Sequence, residues 1–163
     1  MSLSKSDTFK TEVETSSPRR SAARKSTYLY LAAALLSLVG LADSIYLTVE
    51  HLAGSAVRCT VTSGCEEVLT SSYATIGGFP LAGVGAVSYF IVFSLAILAA
   101  FGNRRAGDVL FYLVMLMLAV SIYLFILQAF VLHAFCQFCL LSAAVTLLLA
   151  LVVTAERFYF RRR

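Results

Sequence analysis

Apolar residues in this chain gather in long unbroken runs rather than in an alternating or a three-to-four pattern. Four runs stand out, at about 28–49, 81–101, 109–132 and 136–154. A bilayer core roughly 30 Å thick takes about 20 apolar residues in helical form, and each run comes close to that length. Lipid supplies no hydrogen-bond partners, so a spanning backbone must satisfy its own N–H and C=O groups, which selects helices. The runs lack the period-2 alternation of a membrane barrel. The predicted fold class is an all-α membrane protein, a four-transmembrane-helix bundle.

The segments between the runs differ in kind. Residues 1–25 are rich in Ser, Thr, Lys and Glu, with Phe9 as their one aromatic. Such a stretch buries too little apolar surface to offset its ordering entropy, and is predicted to be a disordered tail. The run that follows exceeds the roughly 7–15 apolar residues of a secretory signal, so it reads as a retained anchor. The predicted organisation is a tail at 1–25, a four-helix domain at 26–158 and a basic end at 159–163. The connection at about 50–80 is long, and long loops in compact domains usually have a function. Its part 65–76 looks helical. Ser63 is a candidate cap, Glu66 and Glu67 suit a first turn, and Val68, Leu69, Tyr73 and Ile76 share a face before Gly77-Gly78. A short amphipathic helix in this first extracytoplasmic loop, lying at the membrane surface, is the expectation.

Composition agrees with the pattern. Of 163 residues 60% are hydrophobic and 13% charged, against roughly 25% charged in soluble domains. So few charges could not coat a water-soluble enzyme, and the net charge of +4 needs no nucleic acid to explain it. The basic residues instead report orientation. Six lie in the tail, two at Arg104 and Arg105, and four at Arg157 and Arg161 to Arg163, whereas the first connection holds only Arg58. By the positive-inside rule both termini and the 103–107 loop face the cytoplasm, and the first and third connections face the other side. Asp43 is the carboxylate well within a span. Ionised groups are costly there, so it is expected to reach interfacial water or a neighbouring helix.

All four cysteines then fall on the extracytoplasmic side, where disulfides persist. Cys59 and Cys65 sit in the long loop, and Cys136-Gln137-Phe138-Cys139 opens the fourth run. The free N–H groups of a helix start stabilise a thiolate, the nucleophile of disulfide exchange. Four cysteines allow three pairings. A relay would use Cys59–Cys65 and Cys136–Cys139 at rest and a loop-to-helix bridge in passing. The competing readings are two structural staples or a four-thiolate zinc site. A C-x-x-C bridge closes too small a ring to add much stability, and a C-x5-C partner suits zinc poorly, so no metal is expected. His133 reads as an interfacial polar residue before a ligand.

At this level of detail the chain resembles bacterial and archaeal homologues of vitamin K epoxide reductase, over about 28–157. The resemblance rests on Asp43-Ser44-Ile45-Tyr46-Leu47 in the first run and on Cys59 and Cys65 followed by Ser71. Gly78-Phe79-Pro80, Gly85 and Tyr89, then Ser121-Ile122-Tyr123-Leu124 and Phe135-Cys136-x-x-Cys139, continue it. It implies an integral protein of a prokaryotic cell membrane that couples thiols to a quinone of the menaquinone, ubiquinone or phylloquinone type. In that family's terms Cys136–Cys139 is the redox-active pair beside the quinone, with Cys139 nearer the ring. Cys59 and Cys65 shuttle electrons from a separate thioredoxin-like protein, Cys65 bridging transiently to Cys136. Ser71 contacts the loop or the quinone site. Vertebrate members carry a tyrosine and an asparagine where this chain has Ala143 and, approximately, Leu81. The expected species is a monomer in lipid. The alternative is a small membrane scaffold or transporter whose cysteines form structural disulfides only.

Overall fold

The computed structural model describes residues 5–54, 64–71, 74–76 and 79–160. Five α-helices follow in order: α1 (Lys5–Leu52), α2 (Cys65–Thr70), α3 (Leu81–Ala100), α4 (Arg104–Ile126) and α5 (Gln137–Ala155). α4 runs on into a π-helical segment, Leu127–Leu132, and α5 into another, Glu156–Phe160. Four stretches are long and apolar enough to cross a membrane: Arg24–Leu52, Leu81–Ala100, Arg104–Leu132 and Gln137–Phe158. They are the four runs read from the sequence. α1 packs on α3 and α5, and α4 packs on the same two. Spans consecutive in the chain are therefore neighbours in the bundle.

Two boundaries depart from the sequence reading for local reasons. Helical backbone begins at Lys5, inside the segment whose composition predicts disorder. Extending a helix already nucleated by an apolar span costs far less than starting one. The third span starts at Arg104 rather than near 109. There Asn103 caps the helix, its side chain accepting from the N–H groups of Arg105 at 3.1 Å and Ala106 at 3.2 Å. That first turn is polar and could not be found by counting apolar residues.

With lipid outside, apolar burial gives little drive for helices to associate, and small residues that permit close approach matter more. Ala33 and Ala34 of α1, Ala96 of α3 and Ala150 of α5 lie buried among Val92, Leu110, Val114, Leu149 and Val153. Gly40 faces the Tyr89 ring so closely that a Cβ there would overlap it. The Tyr89 hydroxyl reaches across to α5, donating to the Ser142 carbonyl at 3.0 Å and lying 2.8 Å from Thr146 Oγ1. At the end of the bundle away from the cysteines, Arg157 meets Asp108 at 3.0 Å and its guanidinium lies 4.4 Å from the Phe111 ring centre. Leu35, Val87, Phe90 and Leu151 point outward and are exposed, as lipid-facing side chains must be.

The loop helix is shorter than predicted. α2 ends at Thr70 because Ser71 turns extended and its hydroxyl donates to the Val68 carbonyl at 2.7 Å. Beyond it, Thr75–Ile76 (β1) pairs antiparallel with Phe79–Pro80 (β2), Thr75 opposite Pro80. A β-branched pair suits such a ribbon better than a helix end. Gly64 is the residue before α2; Ser63, the predicted cap, and Tyr73 lie outside the described residues. Val68 is buried against the bundle, so α2 packs down on protein through that residue.

Candidate functional site

The C-x-x-C pair straddles the start of α5. Cys136 is the residue before the first turn, with extended backbone, and Cys139 lies within that turn. The chain reaches this point through an unusual turn. The π-helical segment ends at His133, whose φ of 48° and ψ of 27° are left-handed. π-helical turns often mark functional positions. His133 itself is exposed, and its contribution here is the backbone bend.

Gln128 holds that bend together, and sequence reading passed over it. It is buried at 4% exposure. Its backbone carbonyl accepts from the N–H groups of His133 and Ala134, and its side-chain Oε1 accepts from the N–H of Cys136 at 3.1 Å. One side chain therefore satisfies a buried donor that would otherwise be left unpaired. The available signal was a primary amide near the end of an otherwise apolar span.

The loop comes to the pair from the other side. Cys65 opens α2 and is 1% exposed, and it shares one buried cluster with Cys136, Leu47, Val68 and Ala134. A Cβ on Gly64 would stand 2.8 Å from Ala134 Cβ and 2.8 Å from the Phe135 nitrogen. Only glycine allows α2 to begin so near the turn, which lets Cys65 and Cys136 share one buried cluster. Cys65 is disulfide-bonded, while Cys136 and Cys139 are free thiols. Cys59 lies outside the described residues.

The two free thiols have different surroundings. Cys136 is fully buried in the loop-facing cluster. A hydrogen bond from the Cys139 thiol, helped by the N–H groups of Cys139 and Phe138, lowers its pKa from 9.0 to about 7 against the opposing effect of burial. Half of such a thiol is ready as thiolate near neutral pH. Cys139 instead lies on the wall of a cavity of about 300 Å³ between the helices. Leu47, Val84, Met117 and Leu140 make most of that wall apolar, with Asp43 and Ser71 among its few polar groups. Ser71 thus both closes α2 and lines the cavity. Asp43, expected to reach interfacial water or a neighbouring helix, is only 9% exposed, and its Oδ2 has no hydrogen-bond partner among the described residues.

These features agree with the likeness to known proteins. Over 110 residues the chain is 34% identical to thiol-disulfide oxidoreductase LTO1 of Arabidopsis thaliana. The aligned part covers 62% of this chain and 29% of that protein, so the chain spans under a third of this curated relative's length. The profile of the vitamin K epoxide reductase family matches residues 31–154, which takes in the two middle spans whole, most of the first and fourth, the cysteines and the cavity. A four-span membrane bundle with this match belongs to the vitamin K epoxide reductase family.

Proposed function

We propose that the protein is a membrane thiol oxidoreductase. In this reading it carries electrons from a thioredoxin-like partner through Cys59 and Cys65, then Cys136 and Cys139, to a quinone. The observation that supports it most is the division of labour within the C-x-x-C pair. Cys136 is buried inside the cluster that contains Cys65, and Cys139, packed against the edge of that cluster, is the one of the two that lines the apolar cavity. A relay needs one sulfur turned to its donor and the other to its acceptor. Bracing disulfides would need no such division.

The traffic follows from disulfide exchange. Once the partner has reduced the loop pair, the Cys65 thiolate attacks Cys136 of the helix disulfide and Cys139 leaves as thiolate. Cys59 then attacks Cys65, closing the loop disulfide and releasing Cys136. The helix pair now holds two electrons and two protons for the acceptor. Cys65 disulfide-bonded beside two free helix thiols corresponds to that stage. A pocket of about 300 Å³ is at the lower end of small-molecule sites. Its apolar wall suits a lipid-soluble ring, which fits a menaquinone, ubiquinone or phylloquinone type. The twelve basic residues at the tail, the 103–107 loop and the C-terminal end, against Arg58 alone in the first connection, support cytoplasmic termini and cysteines on the outer side. There the relay would serve disulfide formation outside the cytoplasm.

Two single variants test the relay. Cys59→Ser and Cys139→Ser each remove a resolving thiol, so each is expected to accumulate a Cys65–Cys136 bridge, read by peptide mapping under non-reducing conditions. Finding that bridge in neither variant overturns the relay.

A further inference from the structure

Among the described residues, Asp43 Oδ2 is a buried side-chain oxygen without a hydrogen-bond partner. A carboxyl nine-tenths buried in a membrane span is costly to keep, and no hydrogen bond or ion pair among the described residues holds that oxygen. Asp43 lines the same cavity as Cys139. Leu47 and His51 follow it at successive four-residue steps, which places all three on one face of α1, and all three line the cavity. Eight residues at about 1.5 Å each take that face to the cysteine end of the span, at half-buried His51.

We infer that Asp43 is the proton donor to a quinone oxygen in this cavity, supplied from the cysteine end of the bundle past His51. The inference rests on the quinone reading above. In each turnover the Cys136 and Cys139 thiols give up two electrons and two protons as their S–S bond forms, and the quinone takes up two of each to become hydroquinone. Asp43 passes a proton to the oxygen it faces, and the Cys139 thiol gives its own to the other. Asp43 regains a proton from the water at that end, which receives the Cys136 proton, so charge and mass balance. Other groups on the wall are less suited to the role. The Tyr89 hydroxyl is held by α5, within 3.0 Å of the Ser142 carbonyl, Ser142 Oγ and Thr146 Oγ1, and α2, α4 and the π-helical segment after α4 contribute no titratable side chain to the cavity among the described residues.

Full-length Asp43→Asn protein, with dithiothreitol as donor and ubiquinone-1 as acceptor, provides the test. Losing a general acid is expected to lower kcat about 100-fold with KM within about twofold, and Asp43→Glu restores most of the rate. A second readout needs no turnover. Adding ubiquinone-1 to oxidised protein is expected to shift a carboxyl band in the infrared difference spectrum. Carbon-13 aspartate labelling moves that band, and Asp43→Asn abolishes it. Should the variant fail to fold, the labelled wild-type spectrum can still overturn the inference, since an absent aspartate band excludes Asp43 along with Asp7 and Asp108. A folded Asp43→Asn protein with kcat within about twofold of wild type, or a wild-type spectrum without an aspartate band, overturns the inference alone. Wild-type protein that reduces no quinone overturns the function reading and this inference with it.

Discussion

The two ends of the bundle use the same kinds of residue to opposite effect. Away from the cysteines, Ala33, Ala96, Leu110, Val114, Leu149 and Val153 close the space between the helices, most of them with no exposure at all. Asp108 and Arg157 pair at that end. At the cysteine end, α1, α3, α4 and α5 stand around a cavity of about 300 Å³, with two free thiols and an unpartnered carboxyl close by. One end is filled and satisfied, and the other is left open and unsatisfied. Sites that do chemistry commonly carry such unmet demands, which the rest of the fold must offset. The filled end holds the helices in place so that the open end can keep its cavity.

Substitutions at the two ends should separate these roles. The largest effect is expected from Cys139→Ala at the cavity. Quinone reduction should fall at least about a thousandfold, while circular dichroism and the melting temperature stay near those of wild type. A protein that still reduces quinone would remove Cys139 from the relay. Leu149→Ala at the filled end should do the reverse, costing about 2–5 kcal/mol in stability in detergent unfolding. Leu116→Ala, at a cavity-lining residue 62% exposed, should cost far less. Equal losses at both positions would erase the contrast between the ends.

Gly64→Ala is a finer probe of the open end. Its added Cβ meets Ala134 and Phe135, and such overpacking costs about 1–3 kcal/mol. The yield of a Cys65–Cys136 bridge in the Cys139→Ser background should drop several-fold. An unchanged yield would show that the close approach of α2 is dispensable. A last probe changes no residue and varies pH at Cys136. Its pKa is lowered to about 7, so its thiolate is full above that value and is lost as pH falls through it. Exchange at Cys136 should slow about tenfold between roughly pH 8 and pH 6. A transition near 9 in the thiolate ultraviolet absorbance would show that the Cys139 hydrogen bond does not act as described.

Much of this was legible along the chain because it depends on neighbours in sequence. Twenty apolar residues make a span wherever they sit, so the four helices could be read directly. A C-x-x-C at the start of an apolar run places a thiol on free N–H groups by local geometry alone. The length of α2 was misjudged by the same local logic, since Ile76 fits a helical face as well as it fits the β-ribbon that the chain forms. Gln128 was missed because a lone amide in a span has no pattern to mark it. Its value appears only once the π-helical segment turns its side chain onto the N–H of Cys136.

Hydrophobic runs and cysteine spacing thus settle the number of helices and which residues can carry redox chemistry. They do not say which thiol is buried in the loop cluster and which lines the cavity. Nor do they say that Asp43 is turned into a cavity, or that Gly64 lets two distant cysteines share one buried cluster. Those outcomes depend on how four helices and a loop pack in three dimensions, between residues tens of positions apart. A cavity in particular is space that no side chain fills, so no run of residues encodes it, and the packing of the whole bundle leaves it open beside Cys139.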